Sequence, residues 1–153
     1  MWTDAQRERI ANQIALLLRK RSFDVYVAIN VQTILEINSG IIGELKNCDC
    51  YLFVNFRREE IPDGYRGSLF SNQELAIAYA LGFDRLLVVN QAGVRPEGMA
   101  RYMGINTETF RSFEDCCDVV ERVLDDSNWE PDYGRRLKAD RLRFAPEIIR
   151  YGI

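Results

Sequence analysis

Glu74 is the residue of this chain best placed to do chemistry. It stands in Ser71-Asn-Gln-Glu74, just ahead of Leu75, Ala78, Tyr79 and Leu81, and so in the first turn of a helix predicted to open at Ser71 and end at Gly82. A carboxylate there, beyond a buried strand, can act as a nucleophile, a general base or the electrostatic partner of a cation. The spacing Ser71-x-x-Glu74 is equally that of a capping box, in which the carboxylate satisfies a backbone donor and gains from the helix dipole. Spacing alone leaves both readings open. Asn55 ends an apolar run, where a strand end would face a pocket. Arg57-Arg58-Glu59-Glu60 follows it, and an arginine here, Arg57 first, can hold a pyrophosphate. The alternative is a solvated loop with local ion pairs. Asn55, Arg57, Ser71 and Tyr79 are the side chains expected to bind a substrate around Glu74. Cys48-x-Cys50 and Cys116-Cys117 match no standard zinc spacing, and adjacent cysteines on a helix point apart, so core packing is expected and a metal is not.

The 153 residues contain no histidine. That excludes Ser-His-Asp and Cys-His catalysis within one chain, and histidine-ligated zinc with it. Acid–base work falls to Asp, Glu, Lys, Tyr or Cys. A net charge of −3 implies no broad basic surface for nucleic acid. No apolar run is long enough to span a membrane, and Met1-Trp2-Thr3-Asp4 lacks the features of a signal peptide. A cytoplasmic protein with free thiols is expected.

The elements that must position these groups follow from periodicity. Thr3 and Gln6 form a capping-box pair, and Ile10, Ile14, Leu17 and Leu18 then share one helical face. Asp24–Ile29 and Tyr51–Phe56 are short and apolar on both faces, as buried parallel strands are. From Val31 to Lys46 the apolar residues Ile34, Ile37, Ile41, Ile42 and Leu45 fit a helix between them. The charged stretch from Arg57 to Phe70 reads as a loop. A third buried strand runs from Asp84 to Asn90, Gln91 to Asn106 is irregular with one helical turn near Met99, a short strand sits at Thr109–Phe110, and Glu114–Asp125 is helical. Residues 1–128 form one α/β domain. Residues 129–153, with Arg135, Arg136, Lys138, Arg141 and Arg143, read as a linker or tail. Alternation of this kind implies a parallel sheet covered on both faces, with its ligand crevice beyond the carboxyl ends of the strands. The chain opens on a helix, so the first strand of such a domain is expected to be missing.

Ser71-Asn-Gln-Glu74-Leu-Ala-Ile-Ala-Tyr-Ala-Leu-Gly82-Phe-Asp-Arg-Leu-Leu-Val-Val-Asn90 resembles the Toll/interleukin-1 receptor (TIR) domains, including bacterial TIR-like NAD-cleaving proteins, and the nucleoside 2-deoxyribosyltransferases. Phe23-Asp-Val-Tyr-Val-Ala28 and Cys50-Tyr-Leu-Phe-Val-Asn55 extend the likeness over residues 4–126. The tryptophan often found just before the glutamate in TIR domains is absent, with Phe70 nearest. The resemblance implies a flavodoxin-like three-layer α/β/α fold and a glutamate that works at an anomeric carbon. It also implies NAD as substrate rather than cofactor, a place in bacterial immune (antiphage) signalling, and self-association. A non-catalytic self-association module and a nucleoside deoxyribosyltransferase or nucleotide N-glycosidase are the alternatives it carries.

Overall fold

The structure, a computed structural model, describes residues 2–28, 42–83, 85–98, 101 and 106–130. Helix α1 spans Asp4–Lys20. Thr3 caps it in the expected box: the Gln6 amide donates to Thr3 Oγ1 at 3.3 Å, and the Thr3 amide donates to Gln6 Oε1 at 2.8 Å. Its inward face buries Ile10, Ile14 and Ala15. The predicted helix of residues 31–46 is described only as α2, Ile42–Asn47, its earlier part lying outside the described residues.

Three strands make a parallel sheet in the order β1 (Cys50–Asn55), β4 (Arg85–Gln91), β5 (Asn106–Phe110). Central β4 fits the expectation for a parallel strand covered on both faces, for Leu87, Val88 and Val89 are fully buried. Leu86 and Val88 point to a core formed with Leu45 of α2 and with Leu75, Ile77 and Ala78 of helix α3, Leu69–Ala80. Leu87 and Val89 point to the opposite core, with Ile10, Ile14 and the Cys116, Val120 and Val123 face of helix α4, Phe113–Asp126. Arg21 holds the two helices of that layer together through Glu121 at 3.2 Å and Asp125 at 2.7 Å. β5 is longer than the two residues the sequence suggested. Trp129 also packs on the second core, while residues 131–153 and the predicted turn at Met99 lie outside the described residues.

Two expectations need correction. The described part of the predicted strand Asp24–Ile29, residues 24–28, is not a strand: it alternates between half-buried and exposed residues, with Tyr26 49% exposed, and pairs with no described strand, while Ile29 lies outside the described residues. A strand needs a ladder partner, and here a cleft separates this segment from β1. The stretch after Arg57 is not a plain loop. It folds into an antiparallel hairpin, β2 (Glu59–Ile61) and β3 (Gly64–Arg66), around a turn at Pro62-Asp63. The Tyr65 amide donates to the Gly93 carbonyl and the Arg95 amide to the Tyr65 carbonyl, each at 2.9 Å, which pins the hairpin to the loop after β4.

Candidate functional site: a buried carboxylate facing a cleft

The head of α3 is set by a glycine and two asparagines. Asn55, at the end of β1, is 2% exposed. Its Nδ2 donates to Asn90 Oδ1 at 3.0 Å, and its Oδ1 accepts the Ser68 amide at 3.3 Å. Gly67 lies so close that a Cβ there would sit 1.9 Å from Asn55 Oδ1. The helix therefore starts at Leu69, with the Asn72 amide donating to the Ser68 carbonyl at 3.2 Å. This overturns the expected start at Ser71. Glu74 falls in the second turn, no acidic residue occupies the first, and Ser71-x-x-Glu74 is not a capping box. The sequence misled because Ser71-x-x-Glu74 has the spacing of a cap, and the earlier start rests on the close approach of Gly67 to Asn55, which is not local.

From the second turn Glu74 points inward and is 8% exposed. Tyr51, on the face of β1 shared with Phe53 and Asn55, donates its hydroxyl to Glu74 Oε2 over a long 3.4 Å. Burial raises the Glu74 carboxyl above the ordinary value, and the Tyr51 hydrogen bond draws it part of the way back. Burial, then the charge of Glu74, pushes the Tyr51 phenol well above its usual range. Tyr51 thus remains a proton donor while Glu74 is tuned between two opposed effects.

Both residues line a cleft of about 1110 Å³ that wraps the outer edge of β1. Val25 and Val27 face it from one side and Leu52 and Val54 from the other, with Arg58, Arg66 and Ser68 at its rim. A smaller cavity of about 450 Å³, beside Trp2, Arg9 and Phe113, is lined by no buried ionisable group among the described residues.

Of the four residues nominated from sequence whose side chains are described, Glu74 lines the large cleft and Asn55, Arg57 and Tyr79 do not. Asn55 spends its amide on Asn90 and Ser68. Arg57 donates its amide to Gln91 Oε1 at 2.9 Å and its Nε to the Ala92 carbonyl at 2.6 Å, and its guanidinium stacks 4.5 Å from the Tyr65 ring centroid. Tyr79 lies in the last turn of α3 and is 42% exposed. The side chain of Ser71 lies outside the described residues. Tyr51 was not foreseen, although period-two alternation places it on the face of β1 that carries Asn55. None of the four cysteines forms a disulfide; Cys116 is fully buried and its thiol is pushed up to about 12, chiefly by burial. The other three are half-buried. Among the described residues no group of three metal-ligating side chains converges, and no helix is long and apolar enough to cross a membrane.

No family model, curated protein or solved structure matches the chain.

Proposed function

We propose that this chain is a flavodoxin-like, TIR-like N-glycosidase that cleaves NAD between ribose and nicotinamide, with Glu74 facing the anomeric carbon. One observation carries the reading: Glu74 is a buried carboxylate that faces a large cleft and is not consumed as a helix cap. In the reaction the bond from carbon to the pyridinium nitrogen breaks, and its electron pair leaves with the nitrogen. Nicotinamide departs neutral, so no general acid is required. The carbon acquires oxocarbenium character, water adds, and a proton is lost. A carboxylate held out of water stabilises that cation more strongly than one in bulk solvent. The Tyr51 hydroxyl fixes one oxygen of Glu74 and favours its ionised form.

The test is incubation of the purified chain with NAD and chromatography for nicotinamide and ADP-ribose, with Glu74→Gln alongside. The parent should release both products. The variant should fall to the level of buffer with its far-UV circular dichroism unchanged. A variant that keeps parental turnover would remove Glu74 from the chemistry. Base exchange between deoxynucleosides, with NAD intact, would move the reading to a deoxyribosyltransferase.

A second reading, a self-association module, is favoured by a separate feature. No described strand pairs with β1 on the side away from β4. A free strand edge is a template for another chain. A chain that releases nothing from NAD yet self-associates through β1 would leave this reading standing.

A further inference from the structure

Several arginines of the molecule have carboxylates to themselves. Arg66 meets Glu59 at 2.9 Å and Glu97 at 3.3 Å, Arg95 meets Asp63 at 3.5 Å, and Arg122 meets Glu108 at 2.8 Å. Also at the rim of the large cleft, two other arginines instead share one oxygen. Arg7, in the first turn of α1, hydrogen-bonds Asp4 Oδ1, and Arg58, just past the carboxyl end of β1, approaches the same oxygen at 3.6 Å. Arg7 is fixed in place by a second bond, from Nη1 to the Trp2 carbonyl at 2.6 Å. Its side chain is 15% exposed and that of Arg58 44%, whereas that of Asp4 is 78% exposed. Arg7 is therefore the anchored partner and the anion is the one in water, with Arg58 half-exposed between them.

Two guanidinium groups facing one exposed carboxylate leave a surplus positive charge. Like-charge repulsion of this kind is a cost unless something answers it. Burial, followed by the charge of Arg7, depresses Arg58 below the ordinary arginine value, and Asp4 restores only part. Glu8, Asp24 and Glu59 also line the cleft, and Glu59 is already engaged by Arg66. Planar guanidinium forks suit a phosphate better than a single carboxylate oxygen.

We infer that Arg7 and Arg58 form a subsite for the pyrophosphate of a dinucleotide, and that Asp4 is a placeholder which that anion displaces. The inference rests on the proposed glycosidase reading for the occupant of the deeper cleft beside Glu74. It selects the substrate class: a pyrophosphate-bearing nucleotide over a free nucleoside. It also moves the anion site from Arg57, whose guanidinium is spent on Ala92 and Tyr65, to its neighbour.

The experiment titrates the full chain with inorganic pyrophosphate at low ionic strength by calorimetry, because salt screens half-exposed charges. The parent, Arg58→Ala, Asp4→Asn and Glu74→Gln are compared. Arg58→Ala should weaken binding about tenfold, the scale of one lost charge-assisted hydrogen bond. Asp4→Asn should tighten it, since the internal competitor is neutralised. Glu74→Gln should bind as the parent does. In turnover, Arg58→Ala should lower the preference for NAD over nicotinamide riboside by about the same tenfold factor. Binding that depends on Arg58 in a chain that cleaves nothing upholds the subsite and removes the glycosidase. Cleavage of NAD with a preference unmoved by Arg58→Ala overturns the subsite and leaves the glycosidase. Pyrophosphate binding that Asp4→Asn weakens also overturns it.

Discussion

Two roles for Glu74 make opposite predictions for the same substitution. Had it been a capping-box residue, Glu74→Gln would remove a charge near the helix dipole and cost about 0.5–1 kcal/mol. As a buried carboxyl with a raised pKa, it binds its proton more tightly in the folded than in the unfolded state. Its effect on stability is therefore most favourable at low pH and declines as pH rises from the unfolded value through the higher folded one. Glu74→Gln should match the parent in urea below the usual carboxylate range and become the more stable of the two toward neutral pH. A parent more stable than the variant at neutral pH would contradict burial as the dominant effect. Tyr51→Phe acts the other way, removing the donor that favours the ionised form. The rising limb of the NAD-cleavage profile should shift to higher pH, with kcat near neutrality several-fold lower, as expected for about 1 kcal/mol of hydrogen bond. An unchanged profile would make Tyr51 mere packing. Glu74 was legible in the sequence because a lone acid ahead of an apolar helix stands out. Tyr51 was not, because its role depends on the depth at which α3 crosses β1.

At the scale of elements, legibility followed the strength of local periodicity. α1 and α4 have clear apolar faces and real caps at Thr3 and Ser112, and they form within a residue or so of where the pattern puts them. Central β4 was equally plain. Elements set by long-range contacts were misread. The hairpin from Glu59 to Arg66 hides in a charged run, since its order comes from Tyr65 pairing with the loop after β4. Phe23–Ala28 has the composition of a strand but no partner among the described residues. The start of α3 depends on Gly67 and Asn55, which are twelve residues apart in sequence yet in contact in the fold. That contact can be tested. In Gly67→Ala the new methyl would overlap the Asn55 amide, and Asn55 cannot yield without breaking its bonds to Asn90 and Ser68. The cost should be about 1–3 kcal/mol in urea denaturation, the usual range for forced overpacking. A variant as stable as the parent would show that Asn55 does not hold the helix head.

For the whole molecule, the parallel α/β arrangement was readable from the alternation of helix and strand, and the extent of the sheet was not. The parallel sheet has three described strands where the alternation suggested four, and β1 is at its edge among the described residues. Natural edge strands protect themselves with charges, proline or bulges. Cys50–Asn55, Cys-Tyr-Leu-Phe-Val-Asn, has no charge and no proline, so β1 reads as a strand built to be covered. Its outer edge opens on the cleft that contains Glu74, and whatever pairs with it would also close that cleft. The partner can be Phe23–Ala28 of the same chain, whose half-buried Val25 and Val27 already face the cleft, or a second copy. The two differ in their dependence on concentration. Closure within one chain gives the same turnover per molecule at every dilution. Closure by a second copy makes the competent state a product of association, so turnover per molecule rises with concentration along the binding curve. Turnover of NAD measured over a wide dilution series, with mass from light scattering at each point, should show specific activity rising together with mass. Constant specific activity in a species that stays monomeric throughout would assign the edge to the chain's own segment and remove self-association as a requirement for catalysis.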